Sequence, residues 1–203
     1  LRFHPEEEAN DEGFARQLAE LCDAYVSDAF GCVHRAHASV HALPQLMRDR
    51  AAGLLLVKEL KALSRVVDSP ERPFVAILGG AKVSDKIEVV ESLLKKCDVL
   101  CIGGAMANTF LAAQGLDMKK SLVEEDKLPL ARTIMDKARE RKVELILPVD
   151  VVVASGLDAT SGSSVDTSAV PDGQMALDIG PRSAALVEKA ISRAKTVFWN
   201  GPM

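Results

Sequence analysis

Short apolar runs and helical repeats take turns along this chain, and that alternation restricts the possible folds more than any other feature. Runs rich in Val and Ile occur at residues 24–26, 74–78, 99–102, 145–147, 149–154 and 196–199. They are apolar on both faces, as strands are when helices cover both sides of a parallel sheet. Helical patterns lie between them, at 14–22, 53–67, 84–96, 124–142 and 181–194. The pattern at 53–67 puts Leu56, Leu60, Leu63 and Val67 on one face, and that at 84–96 does the same with Ile87, Val90 and Leu94. The stretch 124–142 opens acidic and closes basic, complementing a helix dipole at both ends, and Pro181 suits a first helical position. Strict alternation of strand and helix from about residue 70 onward predicts an α/β fold, a doubly wound parallel sheet of Rossmann-like type.

The loop Asp68-Ser-Pro-Glu-Arg-Pro73 reads as a boundary. The residues before it are too few for an independent α/β domain. Residues 1–52 are therefore expected to be the tail of a second α/β domain, 53–68 a connecting helix, and 69–203 a partial doubly wound domain. Residues 155–173, rich in Ser, Gly, Asp and Thr, are expected to form an exposed excursion. Leu1 is not a start methionine, and Met203 follows an apolar run directly, so both ends are expected to be cuts within a longer protein.

Charge narrows the function. The net charge of -4 arises before Gly53, where five Arg and no Lys face nine Asp and Glu. No basic run is present to neutralise several phosphates of a nucleic acid, so DNA and RNA are not expected as partners, although one phosphorylated metabolite remains compatible. Cys22, Cys32, Cys97 and Cys101 form no C-x-x-C pair and are expected to be free, mostly buried thiols of a reducing compartment, with no metal site. The apolar runs are too short to span a membrane, and LRFHPEEE has neither the basic nor the apolar region of a signal peptide.

Several segments carry candidate chemistry. Gly79-Gly80-Ala81-Lys82 follows the run 74–78, and Ser84-Asp85-Lys86 opens a helix. Glycines let backbone approach a phosphate closely, free N–H groups at a helix start attract anions, and Lys82 and Lys86 converge on one anion if the helix begins early. A tight turn with two solvated lysines is the competing reading. The segment is neither a Walker loop nor G-x-G-x-x-G, which disfavours a nicotinamide-dependent dehydrogenase. Gly103-Gly104 repeats the pattern after the run 99–102, where it admits a flat base against backbone or is an ordinary corner. His34-Arg35-Ala36-His37 suits a carboxylate or a phosphate monoester, with Arg2 in reach, while His37 and His41 also read as ordinary surface or packing residues. Asn200-Gly201-Pro202 ends the last run as a ligand-side corner or a simple turn.

Taken in order, LRFHPEEE, Asp28-Ala-Phe-Gly31, His34-Arg-Ala-His37, GGAKVSDK at 79–86, Ile102-Gly-Gly104, Leu147-Pro-Val-Asp150, Asp178-Ile-Gly-Pro181 and Trp199-Asn-Gly-Pro202 closely resemble phosphoglycerate kinase along the whole chain. GGAKVSDK and WNGP are specific to that family rather than to α/β folds at large. The resemblance implies a nucleotide domain preceded by the tail of a phosphoglycerate-binding domain, with a hinge closing the cleft. It implies reversible phosphoryl transfer between 1,3-bisphosphoglycerate and ADP, giving 3-phosphoglycerate and ATP, with Mg2+ carried on the nucleotide. By the same resemblance Arg2, His34 and Arg35 bind the acid substrate, with Arg35 also catalytic. Lys82 reaches the phosphoryl group in flight and Lys86 the nucleotide phosphates. Gly80, Ala81, Gly104, Ala105, Ala176 and Asn200 then line the nucleotide cleft. Ala105 and Ala176 stand where the family often has glycine. A cytoplasmic enzyme, monomeric at full length, is implied, and the 203 residues alone are expected to be inactive. A nucleotide-binding or regulatory α/β module is the non-enzymatic alternative.

Overall fold

The run at 74–78 becomes β3 (Phe74–Leu78), buried at every position, and its neighbour β4 (Val99–Ile102) is buried likewise. The computed structural model describes all 203 residues, which divide into two units, Leu1–Ser69 and Pro70–Met203.

In the first unit α1 (Pro5–Glu8) is followed by α2 (Glu12–Ala19), whose start is capped by Asp11, its Oδ1 accepting from the Phe14 N–H at 2.7 Å. Asp at this position satisfies one of the N–H groups a helix start leaves open. β1 (Ala24–Ser27) leads through a 3-10 turn at Phe30–Cys32 to α3 (Leu43–Leu46) and β2 (Asp49–Ala52), which pairs with β1 in parallel. A small core gathers Ala15, Ala38, Ala42, Leu43 and Met47, with Phe14 and Tyr25 packed against it. α4 (Leu54–Asp68) matches the helix expected at 53–67, and Asp28, just after β1, accepts from its Leu56 N–H at 2.9 Å. The apolar stripe of α4 does not become core: Leu56 is buried, but Leu60 is 47% exposed and Val67 52%.

The second unit begins at β3 and continues through α5 (Ile87–Leu94), β4, α6 (Gly104–Ala113), α7 (Leu128–Glu140) and β5 (Glu144–Ile146). Then come β6 (Asp150–Ala154), β7 (Ser163–Asp166), β8 (Met175–Ile179), α8 (Pro181–Ser192) and β9 (Thr196–Asn200). The main sheet is parallel throughout, in the order β5-β4-β3-β9. The chain thus steps outward from β3 to β5, then returns to the other side of β3 as β9. Right-handed crossovers put α8 on the face opposite α5 to α7, and Val75, Ile77, Val99 and Cys101 accordingly pack with Ala190 of α8. The reversal of strand order beside β3 is where ligands of such sheets bind.

Two expectations need correction. Strand and helix do not alternate strictly: β5, β6, β7 and β8 follow one another with no α-helix between them, and β6 pairs antiparallel with both β7 and β8 in a second sheet. A continuous apolar run such as 149–154 records burial on both faces, and burial does not say which way the neighbouring strand points. The stretch 155–173 is largely exposed as expected, yet it contains β7 and a 3-10 turn at Thr167–Ala169. Cys22 and Cys32 are exposed, so the thiols are not mostly buried. Cys97 and Cys101 are buried, and burial pushes their thiols up to about 11 and about 12. No helix is long and apolar enough to cross a membrane.

Candidate functional site

Three glycine-bearing turns meet at the carboxyl edge of the main sheet, because strand order places β4 and β9 on either side of β3. The Gly79 N–H donates to the Asn200 carbonyl at 2.9 Å, the Gly103 N–H to the Leu78 carbonyl at 2.8 Å, and the Met106 N–H to the Gly80 carbonyl at 2.9 Å. Side chains have no room here. A Cβ at Gly79 would lie 1.6 Å from the Pro202 carbonyl oxygen, and one at Gly104 would lie 2.6 Å from the Gly80 nitrogen and 2.8 Å from the Pro202 oxygen. Gly104 also has φ +63°, in the left-handed region. Backbone polar groups of three loops are therefore packed together at the one edge where a parallel sheet presents its loops.

Two lysines stand at this edge. Lys82 is exposed in the loop, while Lys86 closes a 3-10 turn at Ser84–Lys86 and donates from Nζ to Oδ1 of Asn200. α5 starts only at Ile87, so the early helix start that would put both lysines on one turn is absent. Nor are the N–H groups at this start free. The Glu124 carboxylate accepts from the Val83 N–H at 2.5 Å and the Ser84 N–H at 3.2 Å through Oε2, and from the Ser84 hydroxyl at 2.6 Å through Oε1. The protein's own anion occupies the position where the spacing argument seated a phosphate. What remains available at this loop is the pair of lysine ammonium groups and the Gly80-Ala81 backbone. Glu124 was missed as a site residue, although the acidic Glu124-Glu-Asp126 before a helical repeat marks a group disposed to sit on N–H donors.

The second turn opens differently. Gly103 precedes α6 without a side-chain cap, and a narrow crevice with room for about one water lies beside it, lined by Gly104, Ala107, Asn108, Pro148, Ala176 and Asp178 among others. Gly104 and Ala176, far apart in sequence, are thus brought to one crevice, and the Ala176 N–H is held by Ser121 Oγ at 2.9 Å. Ala81 is exposed on the first loop, and Ala105 is half-buried beside Gly104.

Asp150 supports this edge from below. It is 3% exposed and accepts from the Arg182 N–H at 3.0 Å, the Ser183 N–H at 2.8 Å and the Ser183 hydroxyl at 2.6 Å, capping α8. Burial alone would raise its pKa, but these hydrogen bonds and the Arg182 charge outweigh it and hold the carboxyl below its ordinary value.

The first unit carries a separate cationic group. Arg2 is exposed and pairs through Nε with Glu8 Oε1 at 2.6 Å, and that hydrogen bond, with the Arg2, His37 and Arg35 charges, lowers the Glu8 pKa. Only Arg2 contacts this carboxylate, while the Arg35 and His37 charges act on it from further away, and His34 is exposed in the turn before Arg35. Beside them Glu7 is 3% exposed, accepts from the Ser39 N–H at 3.0 Å and its hydroxyl at 2.5 Å, and lies 3.9 Å from His37 Nδ1. His41 is exposed and hydrogen-bonds through its ring nitrogens with the side-chain amides of Asn10, at 3.1 Å, and Gln45, at 3.1 Å.

Comparisons with known proteins match the whole of this chain. The family model described as phosphoglycerate kinase matches residues 1–203. Curated phosphoglycerate kinases from an Anaeromyxobacter species and from Moorella thermoacetica are 58% and 57% identical, each match covering all of this chain and 52% of the relative. Among solved structures, phosphoglycerate kinase from Coxiella burnetii superposes with a TM-score of 0.87 at 43% identity, covering all of this chain and 52% of that one. The Pyrococcus horikoshii enzyme does so with a TM-score of 0.78 at 27% identity, covering 53% of that chain. The chain spans about half the length of the curated relatives it matches.

Proposed function

The chain belongs to the phosphoglycerate kinase family, and on that footing we propose that the whole protein transfers a phosphoryl group reversibly between 1,3-bisphosphoglycerate and ADP, yielding 3-phosphoglycerate and ATP. The observation that carries this reading is the meeting of three glycine turns beside Lys82 and Lys86 at the carboxyl edge of one parallel sheet. Phosphoryl transfer asks little covalent chemistry of a protein. It asks for positioned donors and cations that stabilise charge on the moving group while water is excluded.

In this reading Lys86, steadied by Asn200, holds nucleotide phosphates, and Lys82, exposed and forming no ion pair, meets the phosphoryl group in flight. Gly80, Ala81, Gly104, Ala105 and Ala176 offer backbone and small side chains to the nucleotide. Arg2, His34 and Arg35 of the other unit bind the acid substrate, Arg2 exchanging its bond to Glu8 for one to a phosphate oxygen. Mg2+ arrives as part of the Mg-nucleotide substrate. No three His, Cys, Asp or Glu side chains of the chain form a metal-binding group, and no step is assigned to a resident ion. The enzyme works as a cytoplasmic monomer.

Replacing Lys82 with Ala in the full-length protein tests the reading. Removing a single charge-stabilising donor costs about 100-fold or more in kcat, while the Kd for ADP should change less than about threefold because the other nucleotide contacts stay. Turnover that survives the substitution would remove Lys82 from the reaction. The 203 residues by themselves are expected to form no ATP from 1,3-bisphosphoglycerate and ADP in a coupled assay.

A further inference from the structure

We propose that Glu124 is a positioning residue for the transfer step: its carboxylate grips the backbone just after Lys82 and so fixes where the Lys82 ammonium stands. The proposal rests on the role given to Lys82 above and adds to it the group that holds Lys82 in place.

Lys82 is exposed and forms no ion pair, and a lysine stem is long and flexible. The place of its ammonium is therefore set by the backbone that carries it. Before Lys82 lies Gly80, at φ +128°, a conformation that glycine alone adopts readily. The Gly80 carbonyl accepts from the Met106 N–H of α6 at 2.9 Å. After Lys82, the Val83 N–H shares one planar peptide with the Lys82 carbonyl, so a bond to that N–H orients the unit leaving Lys82. Glu124 supplies that bond: Oε2 accepts from the Val83 N–H at 2.5 Å and the Ser84 N–H at 3.2 Å, and Oε1 from the Ser84 hydroxyl at 2.6 Å. A carboxylate suits this place because it only accepts, and so takes all three donors at once. Glu124 is in turn tied to α6, where its own N–H donates at 3.1 Å to Oγ1 of Thr109, a residue 1% exposed. Ala81 and Lys82 thus hang between two attachments to the same helix, one direct through Gly80 and one through Glu124. A brace needed for the fold alone could sit anywhere along the loop. This one grips the peptide next to the lysine.

Steady-state kinetics of the full-length protein test this with Lys82→Ala, Glu124→Ala, the double variant and Glu124→Gln. Glu124→Ala should lower kcat about 10- to 100-fold, the upper end being the cost of about 1 Å of misplacement. The KM for ADP should change less than about threefold, because the lost interaction serves the transfer step. In the Lys82→Ala background the loss should vanish: the double variant should match Lys82→Ala within about twofold, since Glu124 acts through Lys82. Glu124→Gln should stay within about threefold of the wild-type kcat, its carbonyl oxygen accepting from both N–H groups and its amide donating to Ser84 Oγ. Unchanged kcat in Glu124→Ala would overturn the proposal. So would losses that multiply in the double variant, which would mean a brace for the fold at large. A Glu124→Gln variant as slow as Glu124→Ala would overturn it too, because charge and not geometry would then matter. Should Glu124→Ala fail to fold, Glu124→Asp takes its place: its carboxylate falls one methylene short, the loop must shift to meet it, and the same Lys82-dependent loss should appear. Full turnover in Lys82→Ala would overturn the reading of Lys82 itself, whereas turnover that needs Lys82 but not Glu124 would overturn only this proposal.

Discussion

Gly79-Gly80 and Gly103-Gly104 each follow a buried strand of the same parallel sheet, yet the chain leaves the first through a loop and a 3-10 turn and leaves the second straight into α6. The first start has its N–H groups covered by the Glu124 carboxylate and carries exposed lysine charge. The second start has no side-chain cap and faces a narrow crevice. The same dipeptide thus sits in two different surroundings. One turn leads into a loop that carries lysine charge and is braced by an internal anion, and the other leads directly into a helix beside a narrow crevice. The difference lies in what packs against each turn, since the glycines are common to both.

The two turns should also break differently. Gly80→Ala makes only ordinary van der Waals contact, with Lys86 Cε at 3.5 Å its nearest neighbour, so its cost comes from φ +128°, about 1–3 kcal/mol for a sparsely populated conformation. Gly104→Ala combines a left-handed conformation, about 1–2 kcal/mol, with contact against the backbone of Gly80 and Pro202, about 1–3 kcal/mol for overpacking. Gly104→Ala should therefore be the more damaging, about 2–5 kcal/mol in urea unfolding on the sum of those two costs. The reverse order would mean that the second turn is not the tighter one.

A smaller effect is expected at Glu124. Its replacement by Ala strands the Val83 and Ser84 N–H groups and the Ser84 hydroxyl in a half-buried site, a loss of about 1–3 kcal/mol by the cost of unsatisfied donors. Hydrogen exchange should quicken at Val83 and Ser84. It should stay slow at Met106, whose N–H bonds to the Gly80 carbonyl and belongs to the second turn. Equal quickening at all three would show that Glu124 holds both turns, a possibility given substance by the Glu124 N–H bond to Thr109 of α6 at 3.1 Å.

The contrast also explains what could be read in advance. The strands at 74–78 and 99–102 were legible because a run buried on both faces leaves a plain apolar signature, and the helices because their apolar spacing is 3.6-periodic. β2 was not legible: Asp49-Arg-Ala-Ala52 is exposed at every position and has no burial to record. The antiparallel sheet was missed because pairing direction is a tertiary property. At the site, Gly80, Lys86, Gly104 and Asn200 are marked by glycine and lysine where strands end. Glu124 reaches the first loop from about 40 residues away in sequence, a link that is visible only once α6 and the loop after it have folded.

A third helix start sharpens the comparison, because Asp150 does for α8 what Glu124 does for the first loop. Its hydrogen bonds to Arg182 and Ser183 outweigh the effect of burial and hold its folded-state pKa below that of the unfolded chain. The ionised carboxylate therefore stabilises the fold fully above the ordinary aspartate pKa. That contribution declines as pH falls below the unfolded value and is lost once pH has passed through the lowered folded value. Thermal midpoints measured from pH 6 down to pH 3 should fall for the wild type. Asp150→Asn, already less stable at pH 6, should fall less, since it has no proton to take up at this site. Parallel slopes for the wild type and Asp150→Asn would mean that acid destabilises the fold through other carboxylates, and that an internal anion at a helix start is not what separates these βα junctions.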